Sequence, residues 1–171
     1  MPVYPDMNPT QPSIIHCADQ PYVAIGGTVT MRTIGEIADR IPAVFGWLAS
    51  RGIAPAGPPF LRYTVIDMSS HLEIEAGVPV ATEVPGDEDV RPGVLPAGRY
   101  VTVTHLGSPE QLVSVVRAVL EWGGERGLRW DREDTPAGEK WGCRLESYKT
   151  NPVIEPDMSK WETELAFRLA D

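Results

Sequence analysis

The chain has 171 residues, of which 42% are hydrophobic and 23% charged, enough to bury a core without a disulfide or metal staple. With 15 Lys and Arg against 24 Asp and Glu, the formal charge is −9, and no basic stretch is present to neutralise phosphates, which argues against nucleic-acid binding by the isolated chain. No apolar run approaches the roughly 18 residues of a membrane span, and two cysteines, Cys17 and Cys143, are too few for a disulfide scaffold or a cysteine-based metal site.

Residues 1–13 contain Pro2, Pro5, Pro9 and Pro12 and little apolar content, so they read as an extended or disordered leader. The leader lacks a basic n-region and an apolar h-region; a cytoplasmic protein is therefore expected, with no membrane partner. Residues 14–18 and 22–30 have strand character, broken at Gln20–Pro21. Ile34, Ile37, Ala38, Ile41, Val44, Phe45 and Leu48 recur at helical spacing, and Pro42 predicts a kink or break near Arg40. Residues 60–67 and 72–80 read as two strands joined by a short turn. The stretch 84–96, rich in Pro and Gly, reads as a linker. Residues 99–106 then form a strand, Leu112, Val115, Val116, Val119 and Leu120 mark a helix, and 140–148 and 161–169 form the closing strands.

This order repeats. Thr33 and Ser108 are 75 residues apart, and each is followed three positions on by Glu36 or Gln111, the pattern of a capping box. At the same offset Ile37 matches Leu112, Val44 matches Val119, Trp47 matches Trp122, Arg51 matches Arg126 and Gly52 matches Gly127. The last two residues stand where helices close through the left-handed conformation. The segment from His71 also matches that from Lys160, with glutamates at Glu73 and Glu75 against Glu162 and Glu164. The domain 14–171 thus divides into module one, 14–83, the linker, and module two, 97–170. An α+β fold follows: tandem duplicated β-α-β-β modules about a pseudo-twofold axis, antiparallel sheets with helices on one side, and a ligand cleft between the modules.

Glu146 is the leading candidate for chemistry. Alternation along its strand puts Gly142, Arg144, Glu146 and Tyr148 on one face and Trp141, Cys143 and Leu145 on the other. A carboxylate on a partly buried strand is paired, protonated, or open to a cation; the competing reading is a solvated Arg144–Glu146 ion pair. Tyr63, Tyr148, Trp141 and Trp161 lie on the last two strands of their modules, and such rings around one carboxylate suit a flat lipophilic cation. Ordinary core packing is the alternative use of each ring. His105 ends a strand and could reach the cleft or simply cap it, and the three histidines have no metal-ligand spacing. The two Glu pairs read as solvent-exposed. No nucleophile elbow, P-loop or dinucleotide fingerprint is present, and no metal or cofactor is expected.

The duplicated unit resembles the GyrI-like (DNA gyrase inhibitor-like) family, also found as the effector-binding domain of AraC-type and MerR-type multidrug regulators. The resemblance is carried further by Leu-Pro-Ala-Gly-Arg-Tyr at 95–100, Leu-Glu-Ser-Tyr-Lys-Thr-Asn-Pro at 145–152 and the closing segment 161–169. It implies paired strand–helix–strand–strand (SHS2-like) modules that bind lipophilic, often cationic, small molecules between them. It also implies ligand roles for Glu146, Tyr148 and Trp161, with Tyr63, Trp141 and His105 as further site candidates. Some stand-alone members resemble hydrolases that open the cyclopropane of DNA-alkylating natural products with a glutamate and a tyrosine. In that case Glu146 would activate water, with Tyr148 or Tyr63 as donor. A 13-residue leader is too short for a helix-turn-helix, and the closing Phe-Arg-Leu departs from the family's apolar-Pro-apolar ending.

Overall fold

Alternating burial builds this protein's strands. In β4 (Leu72–Pro79), Leu72, Ile74, Ala76 and Val78 point to one face and Glu73 and Glu75 to the other. The computed structural model describes residues 11–67 and 69–171, so most of the expected leader, residues 1–10, lies outside the described residues. The elements before β4 are β1 (Ser13–Cys17), β2 (Gln20–Val29), α1 (Ile34–Ala38), α2 (Ile41–Ser50) and β3 (Phe60–Ile66). Those after it are β5 (Arg91–Leu95), β6 (Gly98–Leu106), α3 (Leu112–Glu125), β7 (Arg132–Thr135), β8 (Gly138–Trp141), β9 (Arg144–Tyr148) and β10 (Glu162–Arg168).

All the strands belong to one curled antiparallel sheet ordered β1-β6-β10-β9-β3-β4-β2-β5, with the β7–β8 hairpin attached to β3. Two β-α-β-β units meet where β9 pairs with β3, and the order β6-β10-β9 mirrors β2-β4-β3 across that seam. The strand preceding each unit crosses to the other one: β1 pairs with β6, and β5 pairs with β2. Both crossings are two residues long, which draws the ends of the sheet together into the curl. Asp19 Oδ1 accepts from Ala97 N at 2.7 Å and ties the crossings to each other.

The helices cover one face. Against it pack Ile37, Leu61, Ile74, Leu112, Val119, Leu165 and Phe167, with α2 closing a smaller cluster around Val44, Leu48, Val23 and Val78. Inside the curl Tyr22, Phe60, Tyr100, Cys143, Leu145 and Ala166 form a second core. Glu75 lies on this inner side and takes a hydrogen bond from Tyr22 Oη at 2.5 Å, so it is half-buried rather than solvated as expected, whereas Glu73 is exposed.

The duplication holds at atomic detail. Gly52 and Gly127 have φ of 67° and 68°. Ile53 N donates to Leu48 O and Leu128 N to Gly123 O, both at 3.0 Å, the same closing turn in each unit. Arg51 lies over Trp47 at 3.9 Å and Arg126 over Trp122 at 4.1 Å.

Five expectations need correction. The break expected at Gln20–Pro21 falls at Ala18–Asp19, because Pro21 sits at the start of β2, where a missing N–H is tolerated. Thr33 makes no side-chain cap; its Oγ1 accepts from Thr30 N at 2.8 Å instead. Ser108 does cap, but it caps the 3-10 turn Pro109–Gln111 that leads into α3. The single strand expected over 140–148 is two, β8 and β9, interrupted at Gly142–Cys143, and the expected linker contains β5. The break expected near Arg40 separates α1 from α2, with Pro42 in the first turn of α2.

Candidate functional site

A cavity of about 300 Å³ opens over the seam. Its walls are one helix from each unit: Ile34 and Ala38 of α1 face Leu112, Val113 and Val116 of α3. Its floor is the central strand pair, Leu61, Tyr63 and Ile66 of β3 beside Arg144, Glu146 and Tyr148 of β9. Sheet register sets this arrangement. Glu146 pairs with Leu61 on one side and with Leu165 on the other, so alternation aims all three at the helices. Arg144 and Tyr148, two residues either way, share that face.

The floor carries the polar groups of an otherwise apolar chamber. Tyr148 Oη donates to Glu146 Oε2 at 2.9 Å, and the Tyr63 hydroxyl is the second phenol facing that carboxylate. Burial pushes the Glu146 carboxyl above its ordinary range; the hydrogen bonds from Tyr148 and Tyr63 and the charge of Arg144 oppose the shift without cancelling it. Burial, reinforced by the Glu146 charge, holds both phenols well above their usual range. They therefore remain protonated donors at neutral pH. Such a site offers a sheltered negative centre, fixed by two donors and bordered by rings, under an apolar roof.

Of the six residues expected from sequence, the structure brings Glu146, Tyr63 and Tyr148 together and leaves the other three elsewhere. Trp141 ends β8, ahead of the Gly142–Cys143 break, so the alternation of β9 does not carry through it. It is buried against Phe167 and Trp130 at 5.6 and 6.1 Å. Trp161 precedes β10, and its Nε1 donates to Glu155 O at 2.6 Å, pinning the β9–β10 loop. His105 Nε2 lies 3.2 Å from Ser108 O beside a separate open hollow lined by Leu106, Ser108 and Met158. Arg144, first read only as a partner of Glu146, lines the cavity itself, as do Met31, Ile34, Leu112 and Val116. The strand alternation of 142–148 already signalled Arg144; nothing in the chain alone signalled which helix residues would roof it.

The family described as GyrI-like small molecule binding domain matches residues 10–139. The chain belongs to that family. Among solved structures, the EcmrR C-terminal domain is similar with a TM-score of 0.69 at 16% identity, covering 95% of this chain and 98% of that one. In the EcmrR–DNA complex the chain spans 58% of the EcmrR chain, with a TM-score of 0.73 at 17% identity. SAV2435 bound to tetraphenylphosphonium matches with a TM-score of 0.59 at 10% identity, covering 94% of each chain. A hydrolase from Listeria innocua matches with a TM-score of 0.58 at 15% identity, covering 94% of this chain and 92% of that one. At these identities the structural likeness establishes the fold. No curated protein matches the chain in sequence. Among the described residues no helix is long and apolar enough to cross a membrane.

Proposed function

We propose that this GyrI-like domain is a cytoplasmic binding protein for lipophilic, planar, cationic small molecules, taken up between α1 and α3 with the cation over Glu146. The observation that carries this reading is a carboxylate on the floor of an apolar cavity whose hydrogen bonds come from two neutral phenols. Phenols orient the carboxylate without themselves neutralising it, so an incoming cation gains a Coulomb partner in a low-dielectric site. Tyr63, Tyr148 and the helix side chains supply contact for flat apolar surface. A structural neighbour, SAV2435, is bound to tetraphenylphosphonium, which shares the lipophilicity and positive charge of this ligand class though it is tetrahedral rather than flat.

Calorimetric titration with tetraphenylphosphonium tests the reading. Glu146→Gln should weaken binding by about 1–3 kcal/mol, the range for a charge-assisted contact in a sheltered site. Unchanged affinity removes Glu146 from the site.

The raised carboxyl of Glu146 favours a second reading on the same floor. A carboxyl group tuned upward by burial and held by two phenols has the make-up of a general acid–base group facing a donor for a developing oxyanion. Incubation with a cyclopropane-bearing alkylator separates the two. Ring-opened product that disappears in Glu146→Gln makes the site hydrolytic; tight cation binding without product makes it a receptor.

A further inference from the structure

Arg144 is not accounted for by cation binding. Its guanidinium stacks among rings, with Phe167 at 4.7 Å, Trp141 at 5.0 Å and Tyr63 at 5.8 Å, and it borders the cavity. Stacking engages the faces of the guanidinium and leaves its N–H edge for hydrogen bonds. Among the described residues, no hydrogen bond or ion pair takes up those donors. Other arginines of these strands are used differently. Arg62 donates to Tyr22 Oη and Gly142 O, each at 2.8 Å, and Arg168 to Asp131 Oδ2 and Ala97 O, also at 2.8 Å.

With Glu146 ionised, Arg144 leaves the floor neutral, and a purely cationic ligand over Glu146 then leaves one positive charge uncompensated in a sheltered site, which is costly. A guanidinium with free donors at the edge of an apolar chamber is the complement of an acceptor oxygen, best of all a carboxylate taken by two parallel N–H bonds.

We propose that Arg144 is the second polar anchor of this site, and that its ligand is a flat apolar molecule bearing both a cationic centre for Glu146 and a carboxylate for Arg144. The claim rests on the Glu146-centred reading above and narrows its ligand class from lipophilic cations to lipophilic zwitterions. Residues two apart on one strand face are about 7 Å apart along the strand, so the two groups of the ligand should have a separation of that order.

Rhodamine 110, a xanthylium cation with a free carboxylate, and rhodamine 123, its methyl ester, form a probe pair that shares the cation and differs only by esterification, which removes the carboxylate's charge. Fluorescence-polarisation titrations at pH 8 should give at least about tenfold tighter binding of the acid than of the ester in the wild-type protein, the ratio for one charge-assisted contact. That ratio should collapse towards one in Arg144→Met and shrink in Arg144→Lys, which keeps the charge but not the planar fork. The wild-type ratio needs no variant, so a misfolded Arg144→Met cannot rescue the claim. Ester binding that depends on Glu146 with an acid-to-ester ratio of one or less overturns the Arg144 anchor and spares the Glu146 reading. A ratio that survives in a folded Arg144→Lys at its wild-type value also overturns it. Binding of neither dye, or binding indifferent to Glu146→Gln, overturns both.

Discussion

Glu146 sits in a site that destabilises its own charge. Its proton is held more tightly in the folded protein than in the unfolded chain. A carboxyl shifted in this direction contributes stability that is fully present below the ordinary carboxylate range and is lost as pH rises through the folded value. Cation binding runs the other way, because the ligand needs the ionised form. Affinity for tetraphenylphosphonium should therefore climb as pH rises through the raised Glu146 value and then level off, while Glu146→Gln should be flat across the same range; calorimetry at stepped pH checks both. In the absence of ligand, Glu146→Gln should melt higher than wild type at pH 8, with the gap closing as pH falls below the ordinary carboxylate range. A variant that melts lower at pH 8 would mean that the hydrogen bonds from Tyr148 and Tyr63 outweigh the desolvation. Glu146 stood out in the sequence because it falls in a strand segment otherwise suited to burial, where a carboxylate is anomalous. Trp141, Trp161 and His105 were not, because a ring's destination depends on which chain segment packs over it.

At the scale of elements, the helix ends are the most legible feature. Gly52 and Gly127 both adopt the left-handed conformation, and a Cβ at either would meet nothing within 4 Å. The cost of a side chain there is therefore a backbone cost. Gly127→Ala should lose about 1 kcal/mol, or about 2–4 °C in Tm for a chain of this size. Gly124, three residues earlier inside α3, is also free of neighbours within 4 Å, and Gly124→Ala should gain about 0.5–1 kcal/mol. Thermal melts of the two variants should move in opposite directions. Elements that depend on partners were the illegible ones. β7, Arg-Glu-Asp-Thr, has no apolar face and exists because β8 pairs with it. β5 contains Pro92 and Gly93 and reads as a linker, yet it completes the edge of β2. Thr33 shows the same limit: its motif predicts a cap, but the turn from Thr30 captures the hydroxyl.

The whole molecule is two units that complete each other. β1 belongs to one by sequence and to the other by pairing, β5 does the reverse, and the cavity takes one helix and one central strand from each. Neither half can bury its own share of the seam. A fragment spanning residues 11–83 should thus unfold without a cooperative transition and bind no cation, and a sharp melt comparable to that of the full chain would contradict the exchange of β1 and β5 as a source of stability. By itself the sequence determined the duplication, the strand faces, the helix stops and the carboxylate, because periodicity, glycine conformation and the cost of a buried charge act over a few residues. Tertiary structure alone decided which rings surround that carboxylate, that Arg144 stands beside it with no hydrogen-bond or ion-pair partner among the described residues, and that the first strand of each unit crosses over. Those outcomes depend on register between strands far apart in the chain and on the curl that brings the sheet's ends together, and no local pattern encodes either.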